Sequence, residues 1–129
     1  ETIPFTTLSM GNPHAVIRVD DLENAPVCSI GPVLENHKYF PKKTNVGFYK
    51  IINKNSISVR VWERGVGETQ SCGTGACAAA VTSILVNSCN TTLKVITRGG
   101  TMQIIWDDLN KSVTMIGDAS MVYDGIINI

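Results

Sequence analysis

The chain has 129 residues, of which 43% are hydrophobic and 17% are charged, so it is large and apolar enough to bury a core. Eleven basic and eleven acidic side chains cancel, which argues against a nucleic-acid-binding surface. No apolar run approaches the roughly 18 residues of a membrane span, and the first ten residues lack the pattern of a signal peptide. We therefore expect one cytoplasmic domain over residues 1–129 that binds neither nucleic acid nor membrane.

The cysteines predict reduced thiols. Four of them in a chain of this length is far below the density of a disulfide-stapled scaffold. They are Cys28, Cys72, Cys77 and Cys89. Their spacings match no structural-zinc pattern, and the sequence holds only two histidines. We therefore expect an intracellular protein with no metal site.

The first half of the chain predicts a mixture of strands and one helix. Residues 15–21 form a short predicted strand, and residues 27–41 have the apolar spacing of a helix with Pro32 near its start. Residues 45–52 and 56–63 are rich in Val, Ile and aromatic residues and are separated by a polar turn, so they predict a pair of strands.

The second half begins with a glycine-rich connection over residues 64–75 and continues with small and apolar residues over 76–86. This run predicts a buried helix that ends near Asn87. Four further strands are predicted at residues 93–97, 102–106, 112–117 and 119–127.

These elements predict an α+β fold with about seven strands, one shorter helix and one central apolar helix. A helix that is apolar all round must be buried on most of its sides. Short turns join most consecutive strands, which favours antiparallel pairing. We therefore expect an antiparallel, barrel-like curved sheet wrapped around the central helix.

The most informative stretch is "ETQSCGTGACAAAV", where Cys72 directly precedes the central helix. The first N–H groups of a helix lack intrahelical partners and stabilise an anion. That anion is either the thiolate of Cys72, which makes it a usable base or nucleophile, or a ligand carboxylate or phosphate. Gly73 and Gly75 let a ligand approach the backbone, and Thr74 adds a hydroxyl. Cysteine is also often a small buried hydrophobe, and this interpretation suits Cys77 better.

Other polar side chains stand at predicted strand ends and loops. They are Asn12, His14, Asn45, Glu63 and Arg64. Taken singly, each has an ordinary explanation as a turn residue, a loop histidine or part of a surface ion pair. Taken together, they supply the groups that suit a small zwitterionic ligand, with a guanidinium for its carboxylate and acidic and amide oxygens for its ammonium.

Several motifs resemble the C-terminal half of the diaminopimelate epimerase family. They are "SMGNPHAV", "FPKKTNVGF", "VRVWERGVGETQSCGTGACAA" and "VTMIGDASMVYDG", in the order that the family has. The proline-racemase group has a different approach to its thiol and is less similar. Asp118 departs from the proline that is usual in the family, and the connection before residue 93 is short, but neither departure touches the catalytic motifs.

The resemblance implies a cofactor-independent epimerisation of LL-diaminopimelate to meso-diaminopimelate by two-cysteine proton transfer. It assigns Cys72 as one of the two catalytic cysteines, supported by His14 and Glu63. Gly73 and Thr74 would offer the helix start to the reacting carboxylate. No "GNGxRC"-like motif with a second cysteine occurs in this sequence. We therefore expect one half of a two-domain fold that is inactive without its N-terminal domain.

The resemblance also implies how the substrate is held. Glu63 and Arg64 would bind its amino and carboxylate groups, and Asn12 and Asn45 would fix the distal stereocentre. Three alternatives stay open: a stand-alone amino-acid-binding module without catalysis, a related cofactor-independent racemase, and a redox protein that uses Cys72 with Cys77. An apolar face left open by the missing half would also permit a homodimer.

Overall fold

The computed structural model describes residues 2–86 and 88–129. Its strands are β1 (Thr6–Ser9), β2 (Pro13–Arg18), β3 (Asn45–Asn53), β4 (Ser56–Glu63), β5 (Gly67–Thr69), β6 (Thr92–Thr97), β7 (Gly100–Ile105) and β8 (Thr114–Ile116). Its helices are α1 (Val27–Glu35) and α2 (Gly73–Leu85). In this part of the chain, no helix has the length and apolar character needed to cross a membrane.

In the described part of the chain, all eight strands belong to one sheet. Along the sheet the strands follow the order β1-β2-β3-β4-β6-β7-β8, and β5 pairs with β4 beside this path. The pairs β2–β3 and β4–β6 are parallel, and every other pair is antiparallel. A parallel pair needs a long connection, and α1 and α2 lie in those two connections. The sheet is therefore mostly antiparallel, with a parallel pair wherever a helix intervenes.

The sheet curls around α2, which confirms the predicted α+β fold with a barrel-like curved sheet wrapped around a central helix. Helix α2 packs against β1, β2, β3, β4, β6 and β7. Its alanines, among them Ala76 and Ala80, are fully buried against apolar strand residues such as Val59 and Leu93. Small side chains let the strands approach the helix closely, so the core forms on the concave face of the sheet.

Helix α1 covers the opposite face of the sheet. It packs against β3, β4 and β5. Val27 forms a second apolar cluster with Val46 and Phe48. At Gly31 a Cβ atom would lie 2.5 Å from Cγ of Trp62, so only glycine permits this close approach of helix and ring. The two helices thus bury alternate side chains of the same strands.

Both helices have different bounds from those predicted. Helix α1 ends at Glu35 rather than near residue 41, because the Asn36 side chain donates to the Pro32 carbonyl and the His37 N–H donates to the Leu34 carbonyl. Pro32 is the sixth helical residue rather than an early one. Helix α2 begins at Gly73, three residues before its predicted start. The predicted stop at Asn87 lies outside the described residues.

The strand predicted at residues 119–127 is wrong. Residues 117–129 form neither strand nor helix, and all of them are exposed. They include the apolar side chains of Val122, Tyr123 and Ile126. A strand requires a partner for its backbone hydrogen bonds, and none of the described strands pairs with this segment. Alternating apolar residues alone could not reveal that.

Candidate active site

Sheet topology brings three of the predicted site residues to one edge of the sheet. Strands β2 and β3 run parallel, and His14 stands opposite Asn45 where both strands begin. Strand β4 runs antiparallel to β3, with Val46 opposite Trp62, so β4 ends where β3 begins. Glu63, the last residue of β4, therefore lies beside the starts of β2 and β3.

Asn45 connects this edge to the turn that follows β4. Its side-chain oxygen accepts the backbone N–H of Arg64 at 2.9 Å, and its amide nitrogen donates to the Pro13 carbonyl at 3.1 Å. Asn45 is 5% exposed. Only one amide N–H is left for any other partner. The Arg64 side chain is exposed and donates from Nη1 to the Lys42 carbonyl, and its other donors have no partner among the residues that the structure describes.

Strand β5 returns the chain from this turn toward the thiol. It pairs antiparallel with β4, and Glu63 stands opposite Gly67. The Thr69 hydroxyl donates to Oε1 of Glu63. Because Thr69 lies only three residues before Cys72, this contact ties the Glu63 carboxylate to the segment that carries the thiol.

Cys72 is the N-cap of α2. Its backbone is extended, with φ −137° and ψ 113°, and Sγ accepts the N–H of Gly75 at 3.4 Å. The Thr74 hydroxyl lies 3.7 Å from the same sulfur. A cap of this kind occupies one of the unpaired donors of the first turn and holds the side chain at the positive end of the helix. The sulfur is buried, with 9% of the residue exposed.

A chain of side-chain contacts links His14 to this sulfur. Nε2 of His14 lies 3.1 Å from Oδ1 of Asn12, and Nδ2 of Asn12 donates to Oγ1 of Thr74 at 3.3 Å. With the Asn12 amide in this orientation, His14 donates from Nε2, and the Thr74 hydroxyl is left with its own hydrogen for Cys72. The contacts thus favour donation toward the sulfur.

His14 is neutral in this arrangement. Its pKa is lowered to about 4, mainly by burial and further by the positive charge of Arg64, while the negative charge of Glu63 opposes the change. The side chain is 1% exposed, and within residues 2–86 and 88–129 its Nδ1 atom finds no hydrogen-bond partner. A neutral ring at this position donates one hydrogen and keeps one acceptor.

Cys77 lies in different surroundings on the same helix. Burial raises the pKa of its thiol, and the nearby Cys72 raises it as well. It lines an open groove of about 540 Å³ with Met10, Thr74 and Trp106. Cys72, Glu63 and Arg64 do not line this groove. Among the described residues, no group of three His, Cys, Asp or Glu side chains is arranged to hold a metal ion.

The contacts bring the eight predicted site residues together at the start of α2 and the adjoining sheet edge, while their roles stay predictions. They also involve Glu35, which the sequence analysis did not single out. Its carboxylate accepts the N–H of Gly65, directly after Arg64. Nothing in the pattern around residue 35 distinguishes it from a solvent-facing helix residue, so only the fold reveals this contact.

Solved structures of other proteins have a similar fold. A phenazine biosynthesis protein of the PhzF family from Bacillus anthracis superposes with a TM-score of 0.61 at 16% identity, over 88% of this chain and 38% of that one. A PhzF family protein from Enterococcus faecalis gives a TM-score of 0.54 at 18% identity, over 75% of this chain and 35% of that one. At these identities the likeness concerns the fold alone.

Sequence comparison identifies the family to which the chain belongs. The sequence model of the diaminopimelate epimerase family matches residues 6–122. A diaminopimelate epimerase of Pseudomonas syringae is 46% identical over 129 residues, which are 100% of this chain and 47% of the relative. One of Azotobacter vinelandii is 47% identical over 127 residues, 98% of this chain and 46% of that relative. The chain belongs to the diaminopimelate epimerase family and spans about half the length of these relatives.

Proposed function

We propose that this chain is one half of a cofactor-independent epimerase that interconverts LL- and meso-diaminopimelate. The observation that carries the proposal is the position of Cys72 as the N-cap of α2, with a backbone N–H and a hydroxyl directed at its sulfur. Membership of the diaminopimelate epimerase family supplies the substrate. Cys72 is the group that exchanges a proton with the α-carbon.

The reaction needs a base on one face of the α-carbon and an acid on the other. The thiolate of Cys72 removes the α-proton and becomes a thiol, or in the reverse direction its thiol gives up that proton. The electron pair left on carbon delocalises into the carboxylate, which the free N–H groups of the first turn of α2 stabilise. A second thiol then donates a proton to the opposite face and becomes a thiolate, so the stereocentre is inverted without a net change in charge.

The sheet edge supplies groups for the rest of the substrate. The exposed guanidinium of Arg64 keeps free donors for a carboxylate, and the neighbouring Glu63 carboxylate accepts from an ammonium. Asn12, together with the remaining N–H of Asn45, is available to the distal end. His14 acts through Asn12 and Thr74, because it contacts the thiol only through them.

The second thiol must come from another part of the protein. Cys77 stands on the same helix as Cys72, so it cannot face the opposite side of a substrate bound at the helix start. The relatives are about twice as long as this chain. Segment 117–129 exposes apolar side chains, and the half of the protein that the relatives have in addition would cover this surface. We infer a two-domain enzyme in which this chain is the C-terminal domain, inactive alone.

The proposed function is consistent with a cytoplasmic protein. All four cysteines are free thiols, which suits the reducing cytoplasm. Formation of a homodimer stays a prediction.

The proposal is tested with Cys72→Ala and Cys77→Ala in the full-length protein, meaning this chain together with the half that its relatives have in addition. Cys72→Ala removes the proton carrier, so epimerisation of diaminopimelate falls by at least about 10³-fold. Cys77→Ala removes a buried thiol from the same helix and retains activity. Retained activity in the Cys72 variant contradicts the proposal. A reversible Cys72–Cys77 disulfide, detected by mass spectrometry, would favour the redox alternative instead.

A further inference from the structure

The carboxylate of Glu35 is buried between α1 and the turn that follows β4. Its side chain is 7% exposed. Oε2 accepts the indole N–H of Trp62 at 2.7 Å, and Oε1 accepts the backbone N–H of Gly65 at 2.8 Å. Lys43 approaches Oε1 at 3.9 Å. Glu35 follows Gly31 by one helical turn, so the close packing of Gly31 on the Trp62 ring places the carboxylate beside the indole nitrogen.

In the turn over residues 63–66, the backbone N–H groups of the last three residues each have a defined acceptor. Arg64 donates to Oδ1 of Asn45, Gly65 donates to Oε1 of Glu35, and Val66 donates to the carbonyl of Glu63. Only the last of these bonds lies within the turn. Gly65 has a φ of +76°, a conformation that favours glycine. Because glycine has no side chain, the Glu35 carboxylate can approach the backbone at this point. Two side chains from outside therefore fix the turn.

We propose that Glu35 is a positioning residue that fixes the turn over residues 63–66, so that the Glu63 and Arg64 side chains face the substrate. This inference rests on the proposed function, which assigns those two side chains to the amino and carboxylate groups. The turn separates Glu35 from the ligand, so Glu35 acts on the ligand only through the backbone of the turn. Loss of its contact moves the binding groups without removing any of them.

The negative charge of Glu35 is essential to this arrangement. Both of its oxygens face N–H donors, and only a carboxylate accepts at both positions. The hydrogen bond from the Trp62 indole, followed by that from Gly65, holds the pKa of Glu35 below its usual value. An amide at this position accepts from one donor and must present its own N–H to the other.

The test is Glu35→Gln in the full-length protein, with kinetics on diaminopimelate and amide hydrogen exchange as readouts. Displacement of the binding groups raises KM about tenfold and lowers kcat. Exchange at Gly65 and Val66 accelerates, while exchange in β6 is unchanged. Ile104→Val, a core truncation in β7, is the control for general destabilisation. It lowers the melting temperature and leaves KM and the exchange of the turn unaltered.

A second variant separates positioning from a merely structural contribution. Trp62→Phe removes the indole donor and leaves the contact between Gly65 and Glu35, so its KM stays close to the wild-type value. In the double variant Glu35→Gln with Trp62→Phe, the amide carbonyl is free to face Gly65. KM therefore returns toward that of Trp62→Phe alone. A structural role predicts instead that the losses of the two variants add.

The outcomes separate the two proposals. Raised KM, faster exchange at the turn and rescue in the double variant support the role of Glu35. Wild-type KM with unchanged exchange at Gly65 overturns it, as does a loss of stability without rescue. An inactive wild-type protein refutes the proposed function instead, and exchange at Gly65 then still decides whether Glu35 holds the turn. If Glu35→Gln does not fold, slow exchange at Gly65 in Trp62→Phe supports the contact and fast exchange overturns it.

Discussion

The backbone N–H of Gly75 donates to Sγ of Cys72 at 3.4 Å, within the first turn of α2. The thiol is therefore part of the helix cap and not a side chain that merely lies nearby. Because the cap fixes the sulfur relative to the helix start, the same turn holds the thiol and offers its remaining N–H groups to a carboxylate. Substitutions within this turn test both functions.

Thr74→Val removes the hydroxyl between Asn12 and the sulfur while preserving the shape of the side chain. Cys72 loses one of its two donors, so we expect kcat/KM of the full-length protein to fall about tenfold, the usual effect of one hydrogen bond. Thr82→Val is the matched control. The Thr82 hydroxyl donates to the Ala78 carbonyl within the same helix, away from the thiol. Equal activities in the two variants would refute the role of the Thr74 hydroxyl.

Gly75→Ala would ordinarily strengthen a helix by about 1 kcal/mol. Here the new Cβ would lie 2.8 Å from Cγ2 of Val61 and 3.2 Å from the Cys72 sulfur. We expect a net loss of about 1–3 kcal/mol in the free energy of unfolding, together with reduced epimerisation. Urea titration of the full-length protein measures the former. Adding Val61→Ala makes room for the Cβ and recovers part of the activity, whereas an unperturbed single variant would contradict the packing at this turn.

His14 makes the stability of the fold depend on pH. Its pKa falls from 6.5 to about 4 on folding, so the unfolded chain binds the extra proton between these values. Stability is then complete above pH 6.5 and declines as the pH drops toward 4. The decline between pH 7 and pH 5 amounts to about 2 kcal/mol.

Urea titrations of the full-length protein at these two pH values measure this contribution. His14→Gln removes the titrating ring and flattens the difference between pH 7 and pH 5. His37→Gln, at the partly exposed second histidine, keeps it. If the His14 variant kept the wild-type difference in stability between pH 7 and pH 5, the pH dependence would come from other groups.

Much of the fold is predictable from local pattern. The run of small and apolar residues after Cys72 predicts a buried helix, and α2 is that helix. The two β-rich runs at residues 45–52 and 56–63 correspond to β3 and β4. The thiol and the two glycines at the helix start were likewise identified from residue type and order. In each case the physical cause lies within a few residues of its effect.

The remaining features depend on distant partners. Strands β1 and β5 have four and three residues and carry too little pattern to be recognised alone. The parallel pairs follow from where the helices cross the sheet, which no window of sequence records. Glu35 is the clearest case at the site. Its importance comes from Trp62 and Gly65, about 30 residues away in the chain.

The central claim is that Cys72 is one of two thiols acting on opposite faces of the α-carbon. The most direct test follows deuterium from D₂O into LL-diaminopimelate and its product at early times. With the full-length protein, the first meso product carries deuterium at the inverted carbon while the remaining substrate stays unlabelled, because removal and delivery use different monoprotic groups. With this chain alone, no inversion occurs. Inversion by this chain alone, or product that retains the original hydrogen, would contradict the account.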